Sequence, residues 1–212
     1  NQTLLTTALP TLMKEFDISA SSVQWLTTGF LLVNGIMIPI SAWLINKFSS
    51  KKLYITAMST FLIGTIICFV AQDFGMLLTG RLVQAAGVGV SMPLLQTIML
   101  SIFPPEKRGA AMGTTGIVIG LAPALGPTLS GWIIDSYTWR DLFGMVIPIV
   151  VLVLILASFL MKNVIQLSNP SIDVLSVILS TLGFGSLLYG FSSVGDKGWG
   201  SPQVYGFLIV GA

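Results

Sequence analysis

Apolar runs long enough to cross a membrane recur along this chain, each fenced by charged residues. Residues 25–45 carry no charge between Asp17 and Lys47, and 53–71 carry none between Lys52 and Asp73. A third run, 76–102, holds a single charge, Arg81. Three more follow at 109–134, 142–161 and 174–194. A hydrocarbon core of about 30 Å takes about 20 helical residues, so each of these runs predicts one complete transmembrane helix. Shorter runs at 3–13 and 204–212 are too short to cross. The pattern predicts the end of a first helix, helices two to seven, and the start of an eighth, as in a piece of a longer protein. Two units are expected: 1–163, from the end of helix one through helix six, and 164–212, a linker with helix seven and the start of helix eight. A basic start and a small-residue cleavage site, which a signal peptide needs, are absent.

Composition narrows the function classes. Lys and Arg number 10 and Asp and Glu 8 in 212 residues, so charged residues make up 8% and apolar residues 54%. A soluble domain carries about 25% charged residues, so a soluble globule, a disordered chain and a nucleic-acid binder are all excluded. There is no His, and Cys68 is the single Cys. This excludes an internal disulfide, a His/Cys metal site and a nucleophile activated by a His base. No G-x-x-x-x-G-K-[ST] stretch is present, so no nucleotide-driven pump is encoded here. A secondary transporter, a channel or a structural membrane protein remains; no enzyme activity, metal or cofactor is expected.

The loop charges predict orientation. Lys47, Lys51, Lys52, Lys107, Arg108 and Lys162 fall on one side of the bundle. Lys14, Arg140 and Lys197 fall on the other, with Glu15, Asp17, Asp73, Asp135, Asp141 and Asp196. Cytoplasmic loops are enriched in Lys and Arg. The first side is therefore expected inside, in a multi-pass protein of the plasma membrane whose full-length N-terminus is cytoplasmic.

Two features exceed what a passive anchor needs. Arg81 lies within the fourth helix, where a cation costs a few kcal/mol even on lenient insertion scales. It either snorkels to headgroups or faces a polar interior. Gln84, three residues on and on the same face, favours the interior. In the fifth helix Gly109, Gly113, Gly116 and Gly120 recur every three or four residues, followed by Pro123, Gly126, Pro127 and Gly131. Small residues so spaced let helices approach closely, and each proline removes one backbone hydrogen bond.

Together these residues resemble the major facilitator superfamily, in its fourteen-helix drug:proton antiporter branch. The family's helix-four pattern R-x-x-Q-G-x-G-x-G-x-x-x-P is matched by Arg81, Gln84, Gly87, Gly89 and Pro93, with Ala85 for the first glycine. Its helix-five pattern G-P-x-x-G-G is matched by Gly126, Pro127 and Gly131, with Ser130 for one glycine. Trp139, Arg140 and Phe143, then Pro148, resemble the start of helix six, and Asp173, Gly183, Gly185, Gly190, Gly198 and Trp199 resemble helix seven. Two departures stand out. The loop between helices two and three has Asn46 where the family has an acid that locks the inner gate, and Asn1 replaces the acid of helix one.

The resemblance implies an all-α helical bundle of this superfamily, its N-terminal six-helix half plus helix seven and the start of helix eight. It implies a monomeric secondary transporter that exports lipophilic or cationic drugs in exchange for protons by alternating access, in a bacterial membrane. A same-fold transporter of a natural lipid, siderophore or metabolite stays open, as does a channel or structural protein. Arg81 and Gln84 are expected to form a polar relay coupled to protons. Asn46, Lys47, Lys51 and Lys52 are expected at the inner gate. Gly120, Pro123, Gly126, Pro127 and Gly131 are expected to make helix five a pivot and seal. Candidates for the substrate cavity are Asn34, Met92, Gln96, Thr3, Thr6 and Thr7. The titrating carboxylate is expected in a C-terminal half beyond this sequence.

Overall fold

The computed structural model describes residues 2–165, 167–168 and 174–211. Asn1 and Asp173, both named in the motifs above, lie outside the described residues. Among the described residues every regular element is a helix: α1 (Gln2–Glu15), α2 (Ala20–Lys47), α3 (Ser50–Phe69), α4 (Phe74–Ile102), α5 (Pro105–Ser136), α6 (Asp141–Gly144), α7 (Val146–Leu160), α8 (Val174–Lys197) and α9 (Pro202–Gly211). Six stretches have the length and apolarity to cross a membrane, with α6 and α7 together making one of them. The chain is a multi-pass membrane protein.

Local chemistry sets the helix ends. Ser19, Ser49 and Asp73 cap α2, α3 and α4, each accepting a hydrogen bond from a backbone N–H three residues on. Such caps satisfy donors that the first turn leaves orphaned. The sequence predicts one helix over 142–161; the structure has two segments, α6 and α7, separated only at Met145, whose backbone stays helical (φ −67°, ψ −25°). Pro148 accounts for the division: without an N–H it cannot bond the carbonyl of Gly144, so the ladder is interrupted there. Pro10, Pro39, Pro93, Pro123 and Pro127 lie inside helices that continue past them.

The core is built on α4. α3 packs along one side of it and α2 along another, while α2 and α3 barely touch each other. α1 lies against α5, α7 against α3, and α8 against α2 and α9. Two apolar clusters fill the bundle. The larger joins Leu5, Leu12, Leu26, Leu77, Ile133 and Trp139 with their neighbours at the end opposite the cationic loops. The smaller gathers Ile45, Leu53, Ala57, Val90 and Leu94 near the cationic end.

Candidate functional site

Arg81 does not snorkel. Its side chain is fully buried, enclosed by α2, α3 and α4. The guanidinium carbon lies 4.3 Å from the ring centroid of Phe30, a cation–π placement. Nη1 donates to Gln84 Oε1 at 2.8 Å, and Nε makes a long 3.5 Å contact with the Leu26 carbonyl. Gln84 is itself fully buried, and its Nε2 donates to Thr65 Oγ1 at 2.8 Å. The Thr65 hydroxyl passes the direction on, donating to the Phe61 carbonyl at 2.8 Å. A one-way chain of donors thus runs from α4 into α3. Linked bonds of this kind polarise one another in a low-dielectric interior.

The close approach that permits this chain comes from glycines. A Cβ on Gly64 would lie 2.5 Å from the Gln84 backbone nitrogen and 2.7 Å from the Gly80 carbonyl. One on Gly87 would lie 2.5 Å from the Ala57 carbonyl. Thr65 escaped the sequence reading because a lone Thr in an apolar helix is ordinarily satisfied by its own i−4 carbonyl. Only its pairing with Gln84, nineteen residues away, reveals the second role. Phe30 gave no signal beyond its hydrophobicity.

The expected cavity residues separate into two places. Asn34 of α2 packs against Gly89 of α4, and Met92 and Gln96, one turn apart on α4, are exposed. Thr3 of α1 meets α5: its hydroxyl reaches the Ala122 carbonyl at 3.5 Å, and a Cβ on Gly126 would press on its Oγ1. Thr6 donates to the Thr3 carbonyl at 2.8 Å, and Thr7 is half-buried. The helix-five signature also divides. Gly126 is buried on α1, whereas a Cβ on Gly109, Gly113, Gly116, Gly120 or Gly131 would meet nothing within 4 Å.

At the cationic end Asn46 donates to the Ala42 carbonyl at 2.9 Å, and the Lys47 ammonium lies 4.4 Å from the centre of the Trp43 ring. Asn163, from the linker after α7, accepts from both the backbone N–H and the hydroxyl of buried Ser50 at 2.9 Å each. This ties the linker to the start of α3. At the opposite end Glu15 accepts from Trp139 Nε1 at 2.5 Å and from Arg140 Nη1 at 2.9 Å. Arg140 also donates to the Ala71 carbonyl at 2.9 Å. The Trp-Arg pair at the start of helix six therefore clamps α1, the α3–α4 turn and the α5–α6 turn together. The sequence marked that pair but not its partner Glu15. None of Glu15, Asp17, Asp73, Glu106, Asp135 and Asp141 is buried, and no group of three or more His, Cys, Asp or Glu among the described residues could hold a metal.

Comparison with known proteins places this geometry. The family model described as Major Facilitator Superfamily matches residues 1–212. The chain is 59% identical over 211 residues to YcnB of Bacillus subtilis, an uncharacterised transporter of the same type, covering all of this chain and 45% of that protein. It is 47% identical over 213 residues to the lincomycin resistance protein LmrB of Bacillus subtilis, covering 44% of it. It is 32% identical over 200 residues to the multidrug export protein EmrB of Haemophilus influenzae, covering 94% of this chain and 39% of that one. The chain thus spans less than half the length of these relatives. Among solved structures, the human organic anion transporter TETRAN superposes with a TM-score of 0.67 at 15% identity, over 99% of this chain and 65% of that one. A bacterial homologue of the human lysosomal transporter Spinster gives 0.61 at 19% identity, over 98% of this chain and 53% of that one. At such identities the likeness is one of fold.

Proposed function

This chain belongs to the Major Facilitator Superfamily, and we propose that its protein exports lipophilic or cationic drug molecules in exchange for protons. In this reading the protein works as a monomer in the plasma membrane, with the cationic end of the bundle and the full-length N-terminus in the cytoplasm. The names of two relatives, a lincomycin resistance protein and a multidrug export protein, support drug export. The observation that carries the reading is the buried guanidinium of Arg81, joined through Gln84 to Thr65. Keeping a cation inside an apolar bundle is costly, and such residues mark transport pathways.

The chemistry limits what the chain of bonds can do. Arg keeps its proton, and neither Gln nor Thr titrates in water's pH range. The role proposed for Arg81 and Gln84 is therefore electrostatic: they hold a fixed positive charge that biases one conformation. Protonation of a carboxylate elsewhere would release that bias, since coupling needs one group whose charge differs between the two states. Glu15, Asp17, Asp73, Glu106, Asp135 and Asp141 are not buried, and the proposed carboxylate belongs to the further length that the relatives have. Thr3, Thr6, Thr7, Asn34, Met92 and Gln96 are proposed to face substrate, and the glycine face of α5 to seal against the other half.

The test uses the full-length protein in proteoliposomes. A pH gradient is imposed, and movement of a lipophilic dye or lincomycin is recorded together with internal pH. Drug movement that follows the gradient and shifts internal pH is the expected result. Drug movement indifferent to the gradient would leave an uncoupled transporter of the same fold. No drug movement, with transport of a lipid, siderophore or metabolite instead, would overturn the drug reading.

A further inference from the structure

A slot opens between α2 and α3 at the cationic end, with α4 as its floor. It encloses about 320 Å³. Its walls are Met37 and Phe48 from α2 and its cap, Thr56 and Ala57 from α3, and Val90 from α4. From Lys52 at its mouth to Thr60 at its depth α3 advances eight residues, about 12 Å at 1.5 Å each. The slot exists because α2 and α3 each pack on α4 and barely touch one another. Its lining is apolar apart from Lys52 at the mouth and the hydroxyls of Thr56 and Thr60.

The mouth differs from the walls. Lys52 lines it, and the Lys47 ammonium lies 6.0 Å from the ring centre of Phe48, another lining residue. Lys51 precedes Lys52 in the first turn of α3. Between residues 46 and 52 there are three cations and no acid. Asn46, at the place where the family pattern has an acid, adds no negative charge to this turn; its amide donates to the Ala42 carbonyl of its own helix, and its backbone carbonyl accepts from Ser168 of the linker at 3.0 Å.

We propose that this slot binds an anionic phospholipid of the adjacent leaflet, one acyl chain lying between α2 and α3 and the phosphate held at Lys52, Lys51 and Lys47. The apolar walls fit a hydrocarbon tail, and the three lysines of residues 46–52 fit a negatively charged head. A lipophilic cation suits the walls equally but meets three like charges at the entrance. Each Lys near an anionic lipid surface adds about a kcal/mol-scale attraction, so discrimination between head groups is the property to measure.

The experiment is native mass spectrometry of the full-length protein, delipidated in detergent and titrated with phosphatidylglycerol or phosphatidylcholine of matched chains. Phosphatidylglycerol should be retained at a roughly tenfold lower concentration. Lys52→Glu should remove that preference, and Asn46→Asp should reduce it a few-fold. Thr56→Trp, which fills the slot from an exposed position, should lower retention of both lipids. Lys52→Glu and Asn46→Asp alter only exposed side chains, so they keep the test decisive if Thr56→Trp does not fold. Equal retention of the two lipids by the wild type overturns the proposal. So does displacement of bound phosphatidylglycerol by soluble glycerol phosphate, which would show a head-group site with no seated tail.

Discussion

Helices α4 and α5 are both rich in glycine, and they use it differently. On α4, Gly80, Gly87 and Gly89 are pressed against α3 or α2, with space for no Cβ: one on Gly80 would lie 2.6 Å from Cys68 Sγ, and one on Gly89 2.5 Å from Met37 Cβ. On α5, Gly109, Gly113, Gly116 and Gly120 face open space within this chain. At 100° per residue those four lie within about 60° of one another, and Gly126 points roughly 110° away, onto α1. The glycines of α4 are spent on the internal packing of this half. The stripe on α5 is a smooth face that nothing among the described residues covers, in a protein whose relatives are more than twice as long as the match.

The sharpest way to break the comparison is at the α3–α4 seam. Gly64→Ala places a methyl 2.5 Å from backbone nitrogen and 2.7 Å from backbone carbonyl oxygen. Neither can rotate away, so the helices must separate, and the Gln84–Thr65 bond with them. Overpacking of this kind costs about 1–3 kcal/mol or more. Gly64→Ala should yield little folded protein in the membrane, read as loss of the monodisperse peak in size-exclusion chromatography. Gly126→Leu should also suffer, but less, because its first obstacle is the Thr3 side chain at 2.4 Å from the added Cβ.

Next in size is Arg81→Ala. It leaves the Gln84 amide oxygen, fully buried, without the donor it now accepts from. Leaving one such group unsatisfied costs about 1–3 kcal/mol, but it does not force two helices apart as the seam defect does. The expected result is normal abundance in the membrane with ion-driven efflux lost. Efflux at the wild-type rate would remove Arg81 from the coupling mechanism and leave it a packing residue.

These contrasts show how far the sequence could be read. Span number, order and the helical class follow from charge-free runs alone, because a membrane forces backbone groups to bond within each helix. The pairing of Arg81 with Gln84 was legible from their i, i+3 spacing. Its continuation into Thr65 was not, since that depends on how deeply α3 sinks into α4. The break at Met145 was hidden for a related reason: apolar runs report length, not hydrogen-bond continuity, and since α4 and α5 run on past Pro93, Pro123 and Pro127, a proline such as Pro148 does not announce a break from sequence alone. The α5 signature looked like one motif because sequence spacing does not say which neighbour occupies which side. Gly126 and the stripe share a helix but not a partner.

Gly113→Ala is the smallest change and the one that separates the two uses of glycine most cleanly. Among the described residues nothing lies within 4 Å of the added methyl, so it displaces no contact there. Ala favours a helix by up to about 1 kcal/mol over Gly, so thermal stability of the full-length protein should hold or rise slightly. If the stripe seals against the other half during transport, close packing there would be disturbed. Transport in the proteoliposome assay should then fall several-fold while the melting curve stays put. A fall in both would place the stripe among the folding contacts, as on α4. No change in either would mean that α5 keeps its glycines facing lipid, and the seal would have to be sought on another helix.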